Sequence, residues 1–445
     1  MDQGGDKRKL TLLDATLLVM GGIIGVGIFF NPHTIAERVP VAWLFLALWA
    51  FGGLVAIAAG FTFAELGGSF PRSGGWFVYL RAAFGPFAAF LFAWVVLCIQ
   101  SAGAIASIAK FCAQRLHILS PSLVGDTGST SELVAAALLV GAVTAVAWTG
   151  VKRAALVQNV CMVTKLVVIA ALVVGGLAFV RGGEAPPAAH VDVPRTLDLG
   201  AVVLALLPLF YTLGGWQLLG YIAPEVRDPS RTLPRAILLG VLGVVAVYLA
   251  VNASYLAVLG IDGLASDPGF ARTLSQRAFG DLGERILAAG MAVSAFGICA
   301  VNIMTTPWLY VAMAREGLFF EAMGVLEPKS GAPRRALLLQ AAITFVYLFG
   351  TLGFLVDSVV FVEWVFHLLA AAALLRLRSK APELPRPFTS PLYPLAPLLY
   401  LATAALVVGG TLYQADWRVK STGVAVLVLG ALVYRPWRAL VARSG

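Results

Sequence analysis

The chain predicts an all-α integral membrane protein with about twelve transmembrane helices. Its 445 residues are 60% hydrophobic and only 12% charged. Apolar runs of about 20 residues, enough to cross a hydrocarbon core roughly 30 Å thick, recur from one end to the other. The basic residues follow the stretches between these runs. Spans are predicted at 12–36, 41–64, 84–116, 132–150, 154–180, 199–223, 234–259, 285–313, 334–353, 355–378, 392–413 and 420–440. The longest polar stretches, 181–198, 260–284 and 314–333, lie between spans, so no soluble domain fits and 1–445 reads as a single membrane domain. Within the second, Asp262, Asp267, Arg272, Arg277, Asp281 and Glu284 fit a short amphipathic helix on the outer surface.

The formal charge of +9 comes from 32 Lys and Arg against 23 Asp and Glu. A nucleic-acid surface has no reason to distribute its basic residues along the loops of a membrane bundle. About twice as many fall on the side of the amino terminus as on the opposite side, and the positive-inside rule therefore puts both termini in the cytoplasm. Lys7, Arg8, Lys9, Lys152, Arg153 and Arg235 belong to the first group; Arg38, Lys110, Arg181, Arg195 and Arg272 belong to the second. The first apolar segment is too long for a signal-peptide core and no small-residue cleavage site follows it, so it is expected to be retained as a span. Cys98, Cys112, Cys161 and Cys299 fall in predicted helices without metal-ligand spacing and read as small core residues. His33, His117 and His190 form no metal-like cluster.

Two spans are interrupted by glycine. Gly25-Val26-Gly27-Ile28-Phe29 lies in the first and Gly214-Gly215-Trp216 in the sixth, where Pro208 is a further helix breaker. Glycine also serves close helix packing, but Gly25 and Gly27 are too closely spaced for a GxxxG seam. Neither cluster follows a strand, which disfavours a nucleotide-binding loop. A lipid-spanning helix tolerates unwound backbone only where its freed groups find protein, water or a ligand. Two such breaks, five spans apart, point to a substrate site near the midplane of a transporter.

With these residues in view, the chain resembles the amino acid, polyamine and organocation transporter superfamily, most closely its L-amino-acid transporter branch in the prokaryotic form. Gly25 to Phe29 is similar to that family's first-helix signature. Ala64-Glu65-Leu66 with Phe70-Pro71-Arg72-Ser73-Gly74-Gly75, Tyr211 to Trp216, and Glu225 to Ile237 resemble its second helix, sixth helix and following loop. Ser294-Ala295-Phe296-Gly297, Arg315-Glu316-Gly317-Leu318 and Pro382 to Pro387 also fall in family order, so the likeness covers nearly the whole chain. The resemblance implies a LeuT-type fold: a 5+5 inverted repeat (12–180 and 199–378) with discontinuous helices one and six, and two appended helices at 392–440. It also implies alternating access, with half-helix amino termini meeting a substrate carboxylate and unwound carbonyls meeting its ammonium.

On this reading Gly25, Val26, Gly27 and Ile28 line the first unwound segment and Tyr211, Leu213, Gly214 and Gly215 the second, with Tyr211 as the outer gate. Leu213 departs from the aromatic pattern of L-type members, which leaves side-chain selectivity open, and Trp216 reads as packing. Lys165 sits about 11 residues from its helix end, about 16 Å deep, beyond comfortable snorkelling reach. In matching members this lysine takes the place of a sodium ion and bridges helix five to helices one and eight, with Ser294 as a partner. Glu363 departs from the neutral polar residue expected before a tryptophan such as Trp364. It lies about 12 Å deep, one turn from His367, and suits either a cationic substrate group or proton coupling. Glu65 and Arg72, with Glu225, Arg227 and Arg235, lie near cytoplasmic helix ends where ion pairs close an inner gate. Asn302, Thr305 and Thr306 fit ordinary interhelical hydrogen bonding.

Sodium-independent exchange or proton symport of L-amino acids in the bacterial inner membrane is therefore the leading expectation. Cationic amino acid or polyamine transport, and amino acid sensing without turnover, are the alternatives. No ATP motif and no nucleophile, base or metal constellation is present, so neither an enzyme nor a cofactor is expected. The expected partners are a small amino acid and the lipid bilayer, with no nucleic acid. The 117–131 loop lacks the cysteine through which eukaryotic members join a heavy chain, so no disulfide-linked partner is expected.

Overall fold

A computed structural model describes residues 9–181, 199–350, 353–414 and 417–444. Lys7, Arg8, His190 and Arg195 lie outside these. Helices α1 (Leu12–Ile23) and α2 (Asn31–Arg38) flank the first glycine cluster, followed by α3 (Ala42–Ser69), α4 (Trp76–Phe84), α5 (Pro86–Leu119), α6 (Thr130–Trp148) and α7 (Val151–Arg181). Helix α8 (Leu199–Leu213) and the short α9 (Leu218–Tyr221) flank the second. Then come α10 (Pro229–Ser266), α11 (Phe270–Phe279), α12 (Leu282–Arg315), α13 (Arg334–Leu348), α14 (Gly353–Lys380), α15 (Leu395–Gln414) and α16 (Trp417–Ser444). Among the described residues no strand forms; one isolated β-bridge joins Leu10 to Val226.

Among the described residues, α3, α5, α6, α7, α10, α12, α15 and α16 are long and apolar enough to cross a membrane. Helices α1 and α8, 12 and 15 residues long, fall short because the glycine clusters end them. The spans expected at 12–36 and 199–223 are thus each divided at the glycine clusters, as the sequence predicts. The span expected at 234–259 is the middle of α10, which starts at Pro229 and kinks at Gly260, a left-handed residue with φ of 68°. Pro234, in the second turn of α10, leaves the Ser230 carbonyl without its helical N–H donor. Helix α11 occupies the predicted amphipathic stretch, burying Phe270, Ala271 and Leu274 while Arg272 pairs with Glu284 at 2.8 Å. Helix α4 was not foreseen. It follows Gly74 and Gly75, both at positive φ, and buries Trp76, Phe77, Tyr79 and Leu80.

Small residues set the helix seams. An added methyl at Gly53 of α3 would lie 2.6 Å from Val245 of α10, at Gly240 of α10 2.5 Å from Val19 of α1, and at Gly290 of α12 2.6 Å from Val168 of α7. Where the surrounding lipid is as apolar as leucine, such close approach supplies the dispersion contacts that hold helices together. Polar ties are placed at the helix ends. Thr11 and Asp14 form a capping box at the start of α1, and Asp14 also receives Lys152 and the Asn159 amide (2.9 Å) of α7. The carboxylate that caps α1 therefore also pins it to α7.

Glu65 ties α3 to α14 and the segment beyond it. Its carboxylate is 1% exposed and accepts two hydrogen bonds from Arg378 (2.8 and 2.6 Å) and one from the Ser390 N–H (2.7 Å), with Arg386 at 3.4 Å. Removing one partner of a buried charge pair leaves the other uncompensated, at a cost of about 3–5 kcal/mol. Glu65→Gln is accordingly expected to lower the melting temperature of the purified protein, whereas Arg72→Gln, at an exposed position, is expected to leave it nearly unchanged. Equal melting of Glu65→Gln and wild type would show that α3 and α14 are held by other contacts.

Candidate functional site

The two breaks face each other at van der Waals distance. Gly215 has a φ of 126°, and a methyl group there would lie 2.2 Å from the Gly22 carbonyl oxygen. Only glycine satisfies both the left-handed backbone and this approach. Helix α8 ends at Leu213 and α1 at Ile23, so freed backbone groups of both segments collect at one depth.

Side chains satisfy many of them. The buried Lys165 of α7 donates from Nζ to the Ile24 carbonyl at 2.6 Å, and Ser294 of α12 donates to the adjacent Gly25 carbonyl at 3.3 Å. Gly297 brings α12 close to α7 beside the lysine, since a methyl there would lie 3.1 Å from the Cys161 Cβ. The Tyr248 hydroxyl of α10 donates to the Ile23 carbonyl at 3.1 Å and has the Thr212 carbonyl at 3.4 Å, so one group spans both breaks. Asn31, at the start of α2, donates to Thr212 Oγ1 (2.5 Å) and to the Pro208 carbonyl (3.2 Å), while Thr212 Oγ1 also donates to Pro208 (2.7 Å). The carbonyl that Pro208 deprives of its helical donor, Leu204 one turn back, accepts instead from the Arg38 guanidinium of α2. Among the described residues, the N–H groups of Val26 and Gly27 find no intramolecular acceptor.

Between the breaks lies a cavity of about 190 Å³. Gly25, Val26 and Gly27 line one wall and Tyr211, Gly214 and Gly215 another, with Glu363 of α14 and Gln100 and Ser101 of α5 opposite. Tyr211 is 51% exposed and stands where the cavity meets the surface. Gln217 links second break and carboxylate: its Oε1 accepts the Gly215 N–H at 3.1 Å and its Nε2 donates to Glu363 at 3.4 Å. His367 Nε2 is 3.9 Å from Glu363, and its Nδ1 is hydrogen-bonded to the Tyr400 hydroxyl. The His367 imidazole stacks on Trp364 (4.6 Å between centroids) and meets Trp76 edge to face (4.7 Å). Trp216 packs beside it against Phe63, His367 and Tyr400.

Not every predicted residue meets at this cavity. Ile28 and Leu213 are buried away from it: the 3-10 turn at Gly27–Phe29 directs Ile28 into the core, and Leu213 packs on Gly52 of α3. Lys165 and Ser294 stand behind the first break. Glu65 and Arg72 are not brought together, since Glu65 is engaged by Arg378 and Arg386 while Arg72 lines a separate hollow with Arg315 and Glu316. Sequence reasoning missed Gln217, Asn31, Thr212, Tyr248 and Gln100. Gln217 and Asn31 carried a signal, being lone amides just past each break; nothing in the sequence distinguishes Tyr248 from other tyrosines within apolar runs.

Similarity to known proteins gives the family. Residues 10–433 match the model of the amino acid permease family. The serine/threonine exchanger SteT of Bacillus subtilis is 29% identical over 433 residues, covering 96% of this chain and 95% of that one. The large neutral amino acids transporter small subunit 2 of Homo sapiens is also 29% identical, over 96% of this chain and 80% of its own length. The human cystine/glutamate transporter is 28% identical, over 95% and 83%. The chain therefore belongs to the amino acid permease family, a multi-pass membrane protein whose function is amino acid transport.

Proposed function

We propose that this protein is a sodium-independent secondary transporter of L-amino acids in the bacterial inner membrane, working by alternating access as an exchanger or proton symporter. The single observation carrying this reading is the apposition of the two breaks, Gly215 against Gly22, around a cavity with unpaired N–H groups at Val26 and Gly27. Those donors suit an α-carboxylate, and the carboxy-terminal end of α8, with its orphan carbonyls, suits an α-ammonium. Tyr211 is positioned to close over the bound amino acid. The likeness to an exchanger over nearly the full length of both chains supports exchange.

The proposed architecture has about twelve spans, with α1/α2 and α8/α9 as the discontinuous members of two inverted five-helix repeats. In this frame both termini are cytoplasmic, and the Leu10–Val226 bridge, the Asp14 cluster and the Glu65–Arg378 pair lie on the cytoplasmic side. Lys165 serves as the fixed cation of the site: its ammonium neutralises the partial charge of the unwound α1 carbonyls without a metal ion. The loop between α5 and α6 has no cysteine, so a heavy chain joined there by disulfide is not part of the proposal.

Reconstituted in liposomes, the protein is expected to take up labelled neutral amino acid equally in sodium and potassium buffers, with the rate rising when vesicles are loaded with unlabelled amino acid or given an inward proton gradient. A sodium requirement would overturn the role given to Lys165, and saturable binding without flux would indicate a sensor. Replacing Lys165 by alanine removes a charge-assisted hydrogen bond of about 1.5–3 kcal/mol, so transport is expected to fall roughly ten- to a hundredfold. Gly215→Ala is expected to abolish transport, because its methyl group displaces one break from the other; wild-type rates in that variant would show that the backbone contact is dispensable.

A further inference from the structure

Among the described residues lining the cavity, Glu363 is the one formally charged side chain. Its partners do not balance it. Gln217 is oriented by the Gly215 N–H, which occupies its carbonyl oxygen and leaves its amide nitrogen to donate to Glu363; Gln100 also hydrogen-bonds the carboxyl group. Both are neutral amides. His367, on the same helix, stands 3.9 Å away, outside hydrogen-bond distance, and has Nδ1 engaged with Tyr400. Tyr221 of α9 and Tyr400 of α15 also face the carboxyl group and carry no cation. Lys165, the nearby buried ammonium of α7, is committed to the Ile24 carbonyl behind the first break. A carboxylate offers about four acceptor positions, and two amides leave acceptor capacity facing the cavity.

We propose that Glu363 makes this cavity a site for amino acids whose side chain carries a cation, such as lysine, ornithine or arginine. The proposal rests on the transporter reading given above and adds the substrate class. The second break and Glu363 are separated by one glutamine side chain, because Gln217 hydrogen-bonds both. A lysine whose α-carboxylate and α-ammonium meet the breaks has a four-carbon stem with which to reach that carboxylate. Its ammonium supplies the charge the protein withholds, and a charge-assisted hydrogen bond forms in a site largely closed to water, since the Glu363 side chain is 19% exposed. A neutral side chain of equal length leaves the carboxylate desolvated without a countercharge, so discrimination follows from the cost to the wrong substrate as much as from the gain to the right one.

The test compares lysine with norleucine, its isostere ending in a methyl group, as competitors of labelled amino acid exchange by the full-length protein in liposomes. Lysine is expected to compete at least tenfold better in the wild type. In Glu363→Gln that ratio is expected to fall at least tenfold, and Glu363→Asp is expected to give an intermediate ratio. Cadaverine, which is lysine without its carboxylate, is expected to compete poorly. Equal competition by lysine and norleucine in a wild type that exchanges neutral amino acids would overturn this inference while leaving the transporter reading intact. A lysine preference unchanged in both variants would likewise overturn it, including the outcome in which those variants lose only acceleration by a proton gradient. Cadaverine as effective as lysine would replace amino acids by diamines. Should the variants fail to purify, lysine and norleucine protection of the wild type against thermal unfolding gives the same comparison, and equal protection would refute the assignment.

Discussion

Everything at the site depends on two stretches of backbone touching inside an apolar medium. A helix that unwinds in lipid exposes N–H and C=O groups for which the surroundings offer no partner, at several kcal/mol for each unsatisfied group. The chain meets this by unwinding α1 and α8 at the same depth and pressing Gly215 onto the Gly22 carbonyl, so that each break screens the other from lipid. Much of the surrounding arrangement follows from that contact. Lys165 and Ser294 close the side facing α7 and α12; Tyr248 closes the side facing α10; Asn31 ties α2 to Thr212 and the Pro208 carbonyl, and Arg38 takes up the Leu204 carbonyl that Pro208 frees. What is left unpaired among the described residues, the N–H groups of Val26 and Gly27, belongs to residues that line the cavity.

Much of this was legible in sequence because its causes are local. Apolar run lengths give the spans, and glycine pairs in apolar runs give the breaks, since few other residues accept such backbone. Lys165 and Glu363 stand out because a charge at that depth needs a function or a partner. The sequence did not reveal which partner each has. Whether Glu65 meets Arg72 or Arg378 depends on how α3, α14 and the segment after α14 cross, and no local pattern encodes that. The same holds for Ile28, whose burial is set by the 3-10 turn at Gly27–Phe29 and not by the glycine pattern alone. Helix α4 escaped notice because it is short and lies between longer apolar runs, its start fixed by the Gly74-Gly75 turn.

The distribution of bond types suits a machine with two stable states. The seams between α3 and α10, α1 and α10, and α7 and α12 are glycine against valine, short-range contacts that resist gradual sliding and favour movement of paired helices as units. The ties at the Leu12 end of α1 are of another kind: the Leu10–Val226 backbone bonds, the Asp14 cluster with Lys152 and Asn159, and the Arg81–Glu316 pair. Polar groups near water exchange one hydrogen-bond partner for another at a net cost of about 1 kcal/mol each. Such ties hold one end shut and release it without a large barrier. At the other end Tyr211 stands half exposed over the cavity. On the transporter reading proposed above, exchangeable polar bonds at one end and a single aromatic at the other suit opening to one side at a time.

Selectivity and conformational change then share one hydrogen-bonded connection. Gln217 spends its carbonyl oxygen on the Gly215 N–H and its amide on Glu363, so the group that stabilises the unwound α8 backbone also positions the cavity's carboxylate. A ligand that engages Glu363 alters the charge Gln217 donates to, and through it the backbone bond that holds Gly215 against Gly22. A ligand shifts a two-state equilibrium only by its difference in affinity for the two states. Placing the selective residue one glutamine away from the hinge gives the substrate side chain a route to contribute to that difference, so the group that is recognised is also coupled to the segment that must move.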